Sequence, residues 1–129
     1  MASLPHAIKH MLQDVSEVDN DNITFGIRKQ GGTLPAIYFL IESNDTMTVG
    51  TNTTQRRCSV SIKTVATTAE EALSVALSVE TQLDVGTYQT IDFTAVINKN
   101  SMLESPESAD GEEQIPFTAV TLCDIVYNY

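Results

Sequence analysis

The stretch that decides the fold is residues 56–86, RRCSVSIKTVATTAEEALSVALSVETQLDVG. Its first third alternates apolar and polar side chains, with Cys58, Val60 and Ile62 on one side and serine and lysine on the other. A period of two is typical of a strand with one buried face. The opening of the stretch therefore predicts a half-buried strand.

The rest of the same stretch changes to a helical period. Its apolar residues at helical spacing are Ala69, Ala72, Leu73, Ala76, Leu77 and Leu83. Thr68 and Glu71 supply the S/T-x-x-E pattern of a capping box at the helix start. Gly86 follows the last turn, where a left-handed residue commonly ends a helix. The stretch thus predicts a strand that leads directly into an amphipathic helix.

Outward from this unit, the chain offers one more helix and four more strands. A helix capped by Ser3 is predicted from an apolar stripe formed by Leu4, Ala7, Ile8, Met11, Leu12 and Val15. The predicted strands are Ile23 to Ile27, Ala36 to Ile41, Thr90 to Ile97 and Ile115 to Tyr127. In the third of these, Ile91, Phe93, Ala95 and Ile97 are predicted to share one face. The second is nearly all apolar, which favours a central place in the sheet.

The order α-β-β-β-α-β-β favours an α+β fold over a doubly wound α/β fold. We expect a mostly antiparallel sheet of four to five strands with two helices packed on one face. The strand–helix–strand step could add one parallel or crossover neighbour. Residues 1–129 should form a single domain with long polar connections at 42–55 and 98–114, the first being either a loop or the tip of an extended hairpin.

Composition narrows the classes of function. The 129 residues carry a net charge of −10, which opposes binding to a nucleic-acid backbone. No apolar run reaches the roughly 20 residues of a membrane span, and no signal peptide is evident. The sequence therefore predicts a soluble protein made in a cytoplasm. Cys58 and Cys123 are interpreted as small buried thiols, with a disulfide between neighbouring strands as the alternative.

Few residues suggest chemistry. His6 and His10 have the i, i+4 spacing of a helical metal pair, but no third ligand lies near them in the sequence and a solvated helix face is the preferred interpretation. No serine lies in a nucleophile-elbow pattern, and no glycine loop has the helix and lysine that a phosphate site needs. We therefore expect no catalytic residues, no metal and no cofactor.

Charge is clustered at a few places. The basic residues Arg28, Lys29, Arg56 and Arg57 occur at predicted strand ends. The acidic residues Glu104, Glu107, Asp110, Glu112 and Glu113 occur in the second connection. The basic residues could be solvated strand ends, or they could contact an acidic surface on a neighbouring copy of the chain. Sequence-specific DNA binding is the weakest interpretation.

Three segments carry a family resemblance: LPAIYFLIE at 34–42, RRCSVSIKTVATTAEEALSVALSVETQL at 56–83 and IPFTAVTLCDIVYNY at 115–129. In this order, after an N-terminal helix, they resemble the tail-completion or tail terminator proteins of tailed bacteriophages. The phrase Thr-Ala-Glu-Glu-Ala at the start of the second helix is similar to the middle of those proteins. Members often carry an aromatic on the strand before that helix, where this chain has Val60, Ile62 and Val65.

The resemblance implies a structural protein of the virion, assembled in the host cytoplasm. Such subunits form a hexameric ring that stops tail-tube growth, contacts the tail tube protein and the head or neck connector, and lets DNA pass through its channel. Two alternatives stay open: a neck or head-completion connector protein, and a monomeric ligand-binding or regulatory α+β domain or small enzyme.

Overall fold

The computed structural model describes residues 4–13, 18, 22–26, 35–46, 55–88, 90–104 and 117–128. Within these residues the chain forms two helices and six strands. The helices are α1 (Leu4–Leu12) and α2 (Ala69–Gln82). The strands are β1 (Ile23–Phe25), β2 (Ala36–Thr46), β3 (Gln55–Ala66), β4 (Gly86–Tyr88), β5 (Ile91–Leu103) and β6 (Phe117–Asn128).

The strands form one mixed sheet in the order β1-β2-β3-β6-β5-β4. Only β1 and β2 pair in parallel among the described strands, and the other neighbours are antiparallel. The α+β class with two helices and a mostly antiparallel sheet is confirmed, whereas the sheet has six strands rather than four to five, and β4 is an addition to the predicted element order. The strand β2 has a neighbour on each side, but the central strands are β3 and β6 rather than β2.

The core lies between one face of the sheet and the two helices. It combines Ala7, Ile8 and Leu12 of α1, Val75 and Val79 of α2 with Leu83 after it, and inward residues of the strands, with Tyr88 of β4 partly buried against it. The apolar stripe predicted for α1 is confirmed at these three positions. Both helices therefore cover the same face, hereafter the inner face. The predicted cap at Ser3 and the end of the stripe at Val15 lie outside the described residues.

The strand at the start of the deciding stretch has the predicted phase. Cys58, Val60 and Ile62 of β3 are buried on the inner face. On β6, the alternate residues Ala119, Thr121, Cys123, Ile125 and Tyr127 are all buried, so this strand also presents one side to the core. Because β3 and β6 pair over their whole lengths, these residues form the centre of the core.

The helix α2 begins as predicted but ends differently. The Thr68 hydroxyl accepts a hydrogen bond from the backbone N–H of Glu71 at 3.1 Å. At the other end, Leu83 is the cap in an extended conformation, and Gly86 is the first residue of β4. The left-handed end at Gly86 was therefore wrong. Lys99 of β5 satisfies two carbonyls at this end instead, since its ammonium group donates to those of Glu80 and Leu83 at 3.3 and 3.2 Å.

The buried side of α2 is also displaced from the predicted stripe. The helix residues that are buried are Ala72, Val75, Ala76 and Val79, and Leu83 follows them. Leu77, predicted to be inside, is 51% exposed. Val75 and Val79 lie in the core instead, because the side of α2 that carries them packs against β3, β5 and β6.

The face predicted for β5 was correct only at its start. Ile91 and Phe93 are buried, but the register shifts between Phe93 and Ala95. One extra residue at this bulge moves the following side chains to the opposite face. Ala95 therefore pairs with Val126, and Ile97 pairs with Asp124. Both lie on the side of the sheet away from the helices.

Both predicted long connections are partly strand. The first enters β2 as far as Thr46, which supports the extended-hairpin interpretation for residues 42–46. Asn44 in this extension hydrogen-bonds to the Tyr127 hydroxyl at 2.9 Å. The second belongs to β5 as far as Leu103, so a connection starting at residue 98 was wrong. Residues 47–54 and 105–116 lie outside the described residues.

Candidate functional site: the outer face of the sheet

The sheet face opposite the two helices, hereafter the outer face, carries four of the eight exposed large apolar side chains among the described residues. Its exposed large apolar residues are Leu40 (39%), Ile97 (39%), Met102 (47%) and Leu122 (37%). Strand register places Leu122 between Ser61 of β3 and Asn100 of β5 in one row across the sheet. Val120 and Met102 lie opposite each other in the next row. Ser61 separates Leu122 from Leu40 of β2 in the first of these rows, so the exposed apolar side chains are spaced across the face. Exposed apolar side chains on one face can contribute to an interaction site.

A carboxylate stands beside this apolar surface. Asp124 lies on the outward side of β6, and its side chain is 18% exposed. Arg57 of β3 donates to Oδ2 at 2.6 Å, and Ser59 donates to Oδ1 at 2.7 Å. Asn98 of β5 donates to Oδ2 at 3.0 Å from a backbone with φ of 59°, the left-handed conformation that asparagine tolerates. The carboxylate thus joins the three adjacent strands β3, β6 and β5, and this group is hereafter the Asp124 cluster.

The donors of the Asp124 cluster change the acidity of the carboxyl group. Hydrogen bonds from Arg57, Asn98 and Ser59 lower the pKa of Asp124 from 3.8 to about 2. Donors directed at the ionised form favour it over the protonated form, and the arginine also adds charge attraction. Asp124 therefore stays charged at any pH above about 3, and its negative charge is a fixed feature of the outer face.

A second charged group lies at the other end of the outer face. Lys63 of β3 forms an ion pair with Glu104 at 3.5 Å. The Lys63 ammonium also lies 6.0 Å from the ring centroid of Tyr38 on β2. Lys63 is six residues along β3 from Arg57, which corresponds to roughly 20 Å at the rise of a strand. The apolar surface thus lies between two ion pairs.

The structure separates the residues that the sequence suggested as inter-subunit contacts. Arg57 and Glu104 both have ion-pair partners within the same chain. Arg56 lies beside Arg57 at the start of β3, in register with Thr46 of β2 and Tyr127 of β6. The remaining candidates lie outside the described residues: Arg28, Lys29, Glu107, Asp110, Glu112 and Glu113. Their contact role stays a prediction.

The two histidines are exposed on α1, but they are not simply solvated. The ring of His10 lies 4.4 Å from that of Tyr88 on β4, and the ring of His6 lies 5.7 Å from it. A pocket of about 200 Å³ beside them is lined by α1, by β4 and by the segment that joins α2 to β4. Its volume is below the range of about 300–1,000 Å³ that is usual for small-molecule sites. In the part of the chain that is described, no group of three or more His, Cys, Asp or Glu side chains is placed to hold a metal ion.

The cysteines are free thiols buried in the core, as interpreted from the sequence. Burial raises the pKa of Cys58 to about 11 and that of Cys123 to about 12. Both thiols are therefore protonated at neutral pH, and a protonated buried thiol is a poor nucleophile.

Sequence reasoning missed the Asp124 cluster, although a signal was present. Asp124 is the one charged residue among the twelve positions of β6. A single carboxylate inside an apolar strand requires donors, because an unpaired charge is costly to remove from water. Its donors Ser59 and Asn98 could not be found this way, since their pairing depends on the register of strands far apart in sequence.

Comparisons with known proteins give no assignment: no family model matches the chain, and no curated protein matches it. Among the described helices, none is both long and apolar enough to cross a membrane.

Proposed function

We propose that this chain is a structural subunit of a phage virion, a tail terminator or tail-completion protein that assembles into a hexameric ring on the tail tube. The observation that supports an assembly role best is the apolar surface of the outer face. Leu40, Leu122 and Met102 are exposed there, on the side of the sheet that neither helix covers. Burying about 100 Å² of apolar surface contributes roughly 2.5 kcal/mol, so a few such side chains contribute substantially to a contact.

The arrangement of the helices fits this role. Because α1 and α2 both pack on the inner face, neither of the described helices covers the outer face. The Asp124 cluster joins three strands of that face and holds them in one register. A rigid surface loses little conformational entropy on binding, which favours repeated assembly of identical subunits.

The charge of the chain fits passage of DNA through a ring. A net charge of −10 gives a negative field that repels phosphate and disfavours binding to the genome. We propose that the partners are further copies of the chain, the tail tube protein and the head or neck connector. We propose no catalytic role, no cofactor, no sequence-specific nucleic acid and no membrane, with the protein located in the tail or neck of the virion.

We propose that Arg56 and Arg57 contact the acidic residues of 104–113 on a neighbouring copy. Arg57 is bound to Asp124 within the chain, so an acidic segment of a neighbour would have to share it. Charge reversal at Arg56 and Arg57 that leaves assembly unchanged at low salt would contradict this contact.

The test is the mass of the purified protein under native conditions, combined with electron imaging of mixtures with tail tubes. We expect a hexameric ring, or a ring that forms at the ends of tubes. A matched pair of variants connects assembly to the outer face: Leu122→Glu should prevent it, whereas Leu77→Glu, at a similarly exposed leucine on α2, should not. A monomer that never assembles, with or without tubes, would overturn the proposal.

A further inference from the structure

The pocket of about 200 Å³ between α1 and β4 has the size and the lining of a site for an aromatic ring. Its lining includes the buried residues Ala7 and Phe93, together with His10 and Tyr88, whose ring centroids are 4.4 Å apart. An apolar cavity of about 150 Å³ is large enough to hold benzene. The pocket is therefore small for a free ligand but large enough for one aromatic side chain.

The absence of a side chain at Gly86 helps to keep this pocket open. Gly86 lines the pocket and is in register with Phe93 on the adjacent antiparallel strand. Residues directly opposite each other share a face of the sheet, so a side chain at position 86 would point to the same side as Phe93. A Cβ atom built there would meet no atom of the described residues within 4 Å. A larger side chain at this position would therefore occupy the pocket without a backbone clash.

Phe25 of β1 is an exposed aromatic side chain that such a pocket could receive. It is 51% exposed, which is more than any other Phe or Tyr among the described residues. One side of its ring packs on Phe39, with the ring centroids 5.3 Å apart. The backbone after it is fixed as well, because the N–H of Gly26 donates to the Phe39 carbonyl at 2.9 Å. A side chain that is already held in place loses little conformational entropy on insertion.

Charge complementarity favours a second copy of the chain as the source of the ring. Asp84, which lines the pocket, is an exposed carboxylate. In the sequence, Phe25 is followed three and four residues later by Arg28 and Lys29, two of only seven Lys and Arg residues in the chain. Surfaces of opposite charge favour the correct pairing of two proteins. A chain of net charge −10 otherwise repels its own copies, so a contact between copies should use its scarce basic residues.

Phe25 and the pocket belong to different surfaces of the chain. Phe25 is on β1 and the pocket lies beside β4, and these are the two end strands of the described sheet. A contact between the two surfaces is heterologous, because it leaves one copy with a free Phe25 and the other with a free pocket. Such a contact repeats from copy to copy until a ring closes.

We infer that copies of this chain join by insertion of Phe25 of one copy into the pocket between α1 and β4 of the next. The inference rests on the proposed ring and names a contact between its subunits, in addition to those that the outer face makes.

The test removes each half of the contact separately and measures the native mass at one protein concentration. Phe25→Ala removes the inserted ring, and its control is Leu77→Ala, at an equally exposed leucine of α2. Gly86→Leu fills the pocket, and its control is Gly86→Ala, which adds only a Cβ atom in open space. We expect Phe25→Ala and Gly86→Leu each to weaken the junction about 30-fold, as truncation of a central interface residue does, and both controls to assemble like the wild type.

Mixing the two variants gives the sharper measurement. The Phe25→Ala copy keeps its pocket and the Gly86→Leu copy keeps its Phe25, so the mixture can form one intact junction and should stop at a dimer of one copy of each. If Phe25→Ala does not fold in urea unfolding, Gly86→Leu against Gly86→Ala decides alone. Rings that survive either variant, or a mixture of folded variants that stays monomeric, would overturn the inference and leave the proposed function standing. A wild-type chain that forms no ring would overturn both.

Discussion

Replacing Asp124 with Asn should destabilise the folded chain at neutral pH and have little effect in acid. The change keeps the size of the side chain but removes the charge that Arg57, Ser59 and Asn98 all donate to. The side-chain NH2 group of Asn would also lie against these donors, where it has no acceptor to bond to. The lowering of the Asp124 pKa from 3.8 to about 2 corresponds to roughly 2 kcal/mol of stability above pH 4. Because the Arg57 side chain is 43% exposed, solvent screening reduces this to about 1–2 kcal/mol.

The sign of the pH dependence follows from the direction of the pKa change. The folded protein binds this proton more weakly than the unfolded chain, so the stabilisation is complete above about pH 4 and is lost as pH falls towards 2. Urea unfolding at pH 7 and at several values down to pH 2 should show that the difference in the free energy of unfolding between wild type and Asp124→Asn, hereafter the gap, decreases as the pH falls. Asp45→Asn is the matched control, since Asp45 is an exposed carboxylate in register with Arg57 on the adjacent strand. Equal stability at pH 7, or a gap that stays constant to pH 2, would refute the reasoning.

Three further predictions concern the core and the cap of α2. Thr68→Ala should cost about 1 kcal/mol in urea unfolding, because the Glu71 N–H loses its acceptor, and Thr68→Ser should restore most of it. Phe39→Ala, at a fully buried position, should cost about 3–5 kcal/mol, and an unchanged unfolding midpoint would show that the ring is not in the core. Cys58 and Cys123 should react with a thiol reagent at pH 8 only as fast as the chain unfolds, so rapid labelling of the native protein would contradict their burial.

The sequence predicts best those elements in which the buried residues keep the same spacing from one end to the other. The alternation in β3 and β6 and the stripe of α1 are set by side chains that meet the helices or the sheet directly. The prediction failed where the period breaks. The bulge after Phe93 reverses the faces of β5, and nothing in the sequence FTAVI marks the extra residue.

The last residues of β5 were missed, and those of β2 were left between a loop and a hairpin, for a different reason. Residues 42–46 are Glu, Ser, Asn, Asp and Thr, and residues 98–101 are Asn, Lys, Asn and Ser, and such polar composition resembles that of a loop. The strand β4 was missed because three residues are too few to show a period. The Asp124 cluster depends on register between β3, β5 and β6, which a local pattern cannot give.

The position of β6 has a consequence for how the chain reaches its native state. This strand is the latest of the described elements in sequence, yet it lies between β3 and β5 and holds the two halves of the sheet together. Ser59 and Asp124, which meet across that seam, are 65 residues apart. The long loop lies between β3 and β6, whereas β5 ends at Leu103 and β6 begins at Phe117. We therefore expect the pairing of β6 with β3 to limit the rate of folding. Until then the edge of β3 that pairs with β6 is open, and premature contact between unfinished chains there would trap strand-swapped pairs.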